Sequence, residues 1–308
     1  MRSGPEGHRA DVTSPGIEPS IVPTTVFALS PGGGNPCPVV LDADSLSGDE
    51  MRAVAASHQH ETGCVLRPTR PDADVRLRFF VPNHEMEMCV HATIAAVTVL
   101  RSRGLLVKDA LVVETAIGLL AVTVDGSDGA ASPAVRVEQR RPEIVPVDQD
   151  PAEVARVLGL DAGSVDTGLP IESVSTARAK LMVPLTGHRE LDAVEPRLEE
   201  LWALCDRVGA TGVYAFTTAP RNDAAVADAR QFPVRAGYPE DPATGVAACA
   251  LGAYLSTHAA TGDRGGERSF RIEQGHAMGR PSVLVARTLM DGAEVSRTWI
   301  EGSATVES

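Results

Sequence analysis

The sequence predicts an α+β protein of two pseudo-symmetric halves, each a barrel-like β-sheet wrapped around a central α-helix. Three observations carry this. Two segments, "CVHATIAAVTVL" (89–100) and "TGVAACALGAYL" (244–255), place apolar or small residues on every helical face and hold no charge. A helix without a polar stripe must be enclosed by protein. The rest of the chain is rich in short alternating apolar runs, so the natural enclosure is a curved sheet. The order of elements also repeats: strands, a capped outer helix, more strands, then one uncharged helix.

Taken in order, residues 1–20 are polar and rich in Gly, Pro and Ser, the composition of a disordered leader. They lack the apolar core of a signal peptide. Residues 21–128 form the expected first half and 129–293 the second, with the strand region 294–306 able to complete the first. "IVPTTVFAL" and "PVVLDAD" read as strands joined by "SPGGGNPC", a turn without the G-K-[ST] of a phosphate loop. Ser47 and Glu50 have capping-box spacing and open a helix over 49–59. "TGCVLRP" and "VRLRFFVP" read as strands, the second alternating Val75, Leu77, Phe79 and Val81 on one face. The first uncharged helix follows, then two strands around Gly118. In the second half, "AVRVEQ" is a strand. Asp150 caps a helix with Pro151 in its first turn. "AKLMVPL" is a strand and "VEPRLEELWALCDRVG" an amphipathic outer helix. "GVYAFTT" and "DARQFPVR" are strands, and more strands follow the second uncharged helix to 306.

Composition narrows the function. The formal net charge of −13 argues against a nucleic-acid partner, and no apolar run is long enough for a membrane span. Five cysteines without a CxxC fit a reduced, cytoplasmic chain. Lys108 and Lys180 are the only lysines.

If the starts of the two enclosed helices face one cleft, their free N–H groups make a site for a carboxylate. Four groups could do chemistry there. Glu61 follows His58 and His60 between a helix end and a strand; it is either a boundary glutamate or a general base at the cleft. Cys89 is a small core residue or a nucleophile, and His91 a structural or catalytic histidine. At positions i and i+2 of a helix the two would point to different faces and could not pair. Asp241, in "YPEDPATGVAAC", is an N-cap or a carboxylate beside a ligand. His58, His60 and His84 lack the spacing of a metal site, so no metal is expected.

"GNPCPVV", "ETGCVL", "RFFVPNHEMEMCVHAT", "QFPVRAGYPEDPATGVAA" and "QGHAMGRPS", in this order, resemble the PhzF-like family of phenazine-biosynthesis isomerases. That family lies within the diaminopimelate epimerase-like fold. The likeness runs from about Ile21 to the C-terminal strands. It implies cofactor-free acid–base isomerisation of a small-molecule carboxylate in a homodimer. Glu61 is implied as the proton shuttle, with His91 and Asp241 as catalytic partners and Asn35, Val90, Thr244, Gly245 and Val246 as substrate-binding residues. Two departures stand out: Val90 replaces the usual Gly before the histidine, and Val246 the usual Ser after "TG". Both make the cleft more apolar. They suit a small unsaturated amino acid of secondary metabolism, as in the 4-alkylproline branch of lincosamide-type antibiotic pathways. A Cys89-dependent epimerase or dehydratase and a non-catalytic binding protein are the alternatives. Two-base racemisation is disfavoured, because no cysteine stands in "EDPATG".

Overall fold

Both uncharged segments fold as enclosed helices in the computed structural model, which describes residues 20–125, 133–258 and 266–307. The expected leader, except Ser20, lies outside the described residues, as does the expected opening of the second half at 129. The helices are α1 (Gly48–His58), α2 (Val90–Ser102), α3 (Pro151–Val157), α4 (His188–Asp192), α5 (Leu198–Val208) and α6 (Gly245–His258). In α2 every residue from Val90 to Leu100 is buried, and in α6 every residue from Gly245 to Ser256.

The strands that enclose α2 include Thr24–Val26, Val39–Leu41, Thr62–Leu66, Val135–Gln139 and Ala304–Val306. Those around α6 include Glu172–Ser175, Lys180–Pro184, Gly266–Gln274, Ser282–Asp291 and Glu294–Gly302. The two sets are not separate. Val135–Gln139 pairs antiparallel with Glu294–Gly302, which joins both halves into one 16-stranded sheet. A second sheet of three strands pairs Ala304–Val306 with Thr24–Val26 and that with Asn35–Pro36. The segment 294–306 therefore serves both halves. It changes sheet near Gly302, where an added Cβ would lie 2.2 Å from the Phe27 ring, so the ring packs directly against bare backbone.

One apolar cluster contains both central helices; smaller ones lie under α1 and under α3 and α5. The local signals behave as their chemistry requires. Ser47 and Glu50 form both bonds of the capping box, and Asp150 accepts from Ala152 N–H ahead of Pro151. The expected strand over 21–29 is divided. Pro23 offers no N–H to a ladder, so Ser20–Val22 joins the large sheet and Thr24–Val26 the small one. Among the described residues no helix is long and apolar enough to cross a membrane.

Candidate active site

Gln59 ends α1 in the left-handed region (φ 57°) and turns the chain toward the strand Thr62–Leu66, which places Glu61 against the start of α2. Cys89 is the N-cap of α2 and is extended, at φ −145° and ψ 114°. Because it is not helical, its side chain swings beside that of His91, and their Sγ and Nδ1 atoms lie 3.2 Å apart. This corrects the expectation that the two cannot meet. Cys89 Sγ donates to Glu61 Oε2 at 3.2 Å, and His91 Nδ1 lies 3.2 Å from the same oxygen. The other oxygen, Oε1, accepts from the Tyr238 hydroxyl at 2.8 Å.

Burial controls the charge of these partners. It lowers the His91 pKa, which leaves a neutral imidazole. With the Nδ1 proton aimed at Glu61, the buried Nε2 has no partner among the described residues. Burial, followed by the charge of Glu61, pushes the Cys89 thiol well above its usual value and raises the Tyr238 phenol likewise. Three neutral donors thus surround one carboxylate.

Asp241 arrives from the second half. α6 begins at Gly245, so Asp241 stands before the helix and does not cap it. Its N–H donates to the Gln231 carbonyl, Asn35 Nδ2 donates to its Oδ1 at 2.7 Å, and the Thr244 hydroxyl donates to its Oδ2. Gln274 links this group to the strand layer, donating to the Asp241 carbonyl while accepting from Thr244 N–H and the Tyr214 hydroxyl. Burial first, and the charge of Glu61 second, raise Asp241 to about 7.

The two helix starts abut. A Cβ on Gly245 would lie 2.7 Å from Val90 Cγ1. Glu61, Val90, His91, Asp241, Thr244, Gly245 and Val246 line one cavity of about 70 Å³. Met86 and Met88 also line it and are unbranched enough to repack. Asn35 lies on a second cavity of about 220 Å³, which shares Glu61, Tyr238 and Asp241 with the first. Tyr238 and Lys180, both on the first cavity, were not among the expected site residues. Tyr238 stands three residues before Asp241, and an aromatic beside that polar motif was the available sign. For Lys180 the sign was a lysine leading an apolar strand in a chain with only two.

Among the described residues, two groups of three side chains are close enough to share a metal ion: Glu61–Cys89–His91 and Asp228–Glu273–His276. In the first, the three side chains hydrogen-bond one another. In the second, Arg221 and Arg271 already neutralise the carboxylates. His58, His60 and His84 belong to neither group.

Comparison with known proteins shows the family of the chain. The profile of the PhzC-PhzF family, described as phenazine biosynthesis-like proteins, matches residues 24–308. A Deinococcus radiodurans protein named as an uncharacterized isomerase is 34% identical over 283 residues, 91% of this chain and 90% of that one. The trans-2,3-dihydro-3-hydroxyanthranilate isomerase of Pseudomonas aeruginosa is 31% identical over 278 residues, 90% of this chain and 93% of that one. The crystal structure of a PhzF-family phenazine biosynthesis protein from Bacillus anthracis superposes with a TM-score of 0.86 at 27% identity, covering 94% and 96% of the two chains.

Proposed function

This chain belongs to the phenazine biosynthesis-like family and is an isomerase; from that premise we propose that it moves a C=C bond in a small unsaturated amino acid or related carboxylic acid, with Glu61 carrying the proton. The observation that supports this most is the setting of one carboxylate, shielded from bulk water between two enclosed helix starts and fixed by three neutral donors.

The reaction conserves all atoms. Glu61 removes an allylic proton, the electron pair shifts along the conjugated acid, and the same carboxyl returns the proton at a carbon further along the same face. Fixing the group before the substrate arrives saves the cost of orienting it. His91 Nε2, buried and unpartnered, is free to bond a polar atom of the substrate. Asp241 does the same from the opposite half, and near pH 7 it can offer a proton as well as accept one. The first N–H groups of α2 and α6 have no intrahelical acceptor and attract the substrate carboxylate on which charge develops. Burial keeps Cys89 a thiol, which suits it to donate to Glu61 rather than to serve as a base or nucleophile.

The test is proton exchange. The protein is incubated in D2O with trans-2,3-dihydro-3-hydroxyanthranilate and with allylic amino acids, and deuterium uptake is followed by NMR. Exchange at an allylic carbon that disappears in Glu61→Gln supports the reading. Exchange that survives in Glu61→Gln, or no exchange with any of these compounds, overturns it.

A further inference from the structure

The strand Lys180–Pro184 alternates cleanly. Leu181 and Val183 face the outer layer beneath α3 and α5, whereas Met182 faces the core around α6. By the two-residue period of a strand, Lys180 faces inward with Met182, at the end of the strand that lines the first cavity. It is 4% exposed, yet it makes no hydrogen bond or ion pair among the described residues. The other lysine, Lys108, is on the surface and paired with Asp74.

Gln231 shares this setting. It lies opposite Tyr214 in the neighbouring ladder, which puts it on the same inner face. It is 1% exposed and lines the same cavity, and neither its Nε2 nor its Oε1 has a partner. The amide fits because Gly212 leaves the space; a Cβ there would lie 2.6 Å from Gln231 Nε2. A buried amide without partners is destabilising, and a buried ammonium without an ion pair is more so unless neighbouring charge offsets it. Two such costs side by side in one cavity mark a place completed by something outside the chain. Arg178 also lines the cavity; its guanidinium bonds only Met86 Sδ and forms no ion pair among the described residues. Lys180 and Arg178, neither in an ion pair among the described residues, thus share the cavity with Glu61 and Asp241, whose charges act on Lys180 without a direct bond.

We propose that Lys180 and Gln231 form an anion subsite in the first cavity, and that the substrate carries a second acidic group that binds there. The Lys180 ammonium supplies charge. The Gln231 amide supplies a directed N–H and, through its oxygen, rejects a poorly aligned acceptor. This deepens the isomerase reading by naming its substrate class as an unsaturated acid with two anionic groups. The lowered pKa of Lys180, about 8, arises from burial and then from Arg178; an arriving anion would restore the fully charged form.

The test needs no turnover. trans-Glutaconate and trans-2-pentenoate share a five-carbon unsaturated skeleton and differ by one carboxylate. Calorimetry on the full chain should show glutaconate binding at least tenfold more tightly. Lys180→Met should bring the two to parity by weakening glutaconate alone, and Gln231→Leu should weaken it about threefold. Lys180→Met should also melt at the same temperature as the parent or higher, because it removes an unpaired buried charge. Equal affinities in the parent, no binding of either acid, or a Lys180→Met variant that melts lower and loses both ligands alike would overturn the proposal. Failure of the isomerase reading would instead show as missing proton exchange with this binding pattern intact.

Discussion

The Tyr238 hydroxyl donates to Glu61 Oε1 across 2.8 Å of space and 177 residues of sequence. A group from the second half thus fixes one oxygen of a carboxylate carried by the first, while Cys89 and His91 hold the other. A hydrogen bond to a charged group is worth about 1.5–3 kcal/mol, and each 1.36 kcal/mol is about tenfold in rate. Tyr238→Phe should therefore lower kcat by up to about 10- to 100-fold and also lower the melting temperature, because a shielded carboxylate oxygen loses its donor. Steady-state rates with a working substrate check this.

Glu61→Gln keeps the shape of the side chain and removes its basicity. A positioned acid–base group contributes about 10²–10⁴-fold, so turnover should fall by at least about 10²-fold. Near-UV circular dichroism should be unaltered, which separates loss of chemistry from loss of fold.

Asp241 has a pH signature of definite sign. Its folded pKa of about 7 lies above the unfolded value, so the folded chain retains a proton that the unfolded chain has released. The stability this gives is complete below about pH 4 and is lost as pH rises through 7. Asp241→Asn carries no titrating proton. Its melting temperature, measured in steps from pH 4 to 8, should decline less than that of the parent over the same interval.

Val90 and Gly245 are matched in bulk. Gly245→Ala would put a methyl 2.7 Å from Val90 Cγ1, and overpacking of this kind costs about 1–3 kcal/mol. Urea titration should show that loss. Adding Val90→Ala to Gly245→Ala should recover part of it, a non-additivity expected only of residues in contact.

Cys89 is read as a buried thiol that donates a hydrogen bond. Iodoacetamide at pH 8 should modify it at least about tenfold more slowly than free cysteine, because the thiolate is the reactive form. Cys89→Ser retains a donor and should stay within about tenfold of parent turnover. A drop of about 10²-fold or more would instead make the sulfur an acid–base group.

The two central helices were legible in the sequence because a charge-free helix admits one environment, and the outer helices because caps and amphipathic stripes are local. α4, with five residues, and the strands Glu85–Met86, Glu143–Pro146 and Glu172–Ser175 were not read. None is long enough to establish a period, and tertiary pairing decides them. The site divides the same way. Glu61, His91 and Asp241 stand in motifs that open or precede regular elements. Tyr238, Lys180 and Gln231 matter through contacts and cavities that join distant strands. The pairing of Cys89 with His91 was misjudged because helical geometry was extended one residue too far: the N-cap keeps an extended backbone, and that one angle turns two divergent side chains into neighbours.

The segment Glu294–Val306 closes one ladder over α6 and then another beside α2. During synthesis, therefore, neither lobe can seal until translation has passed residue 306, and most of the polypeptide must wait with apolar helices incompletely covered. Separately expressed lobes should accordingly reassemble only when one of them carries this stitch.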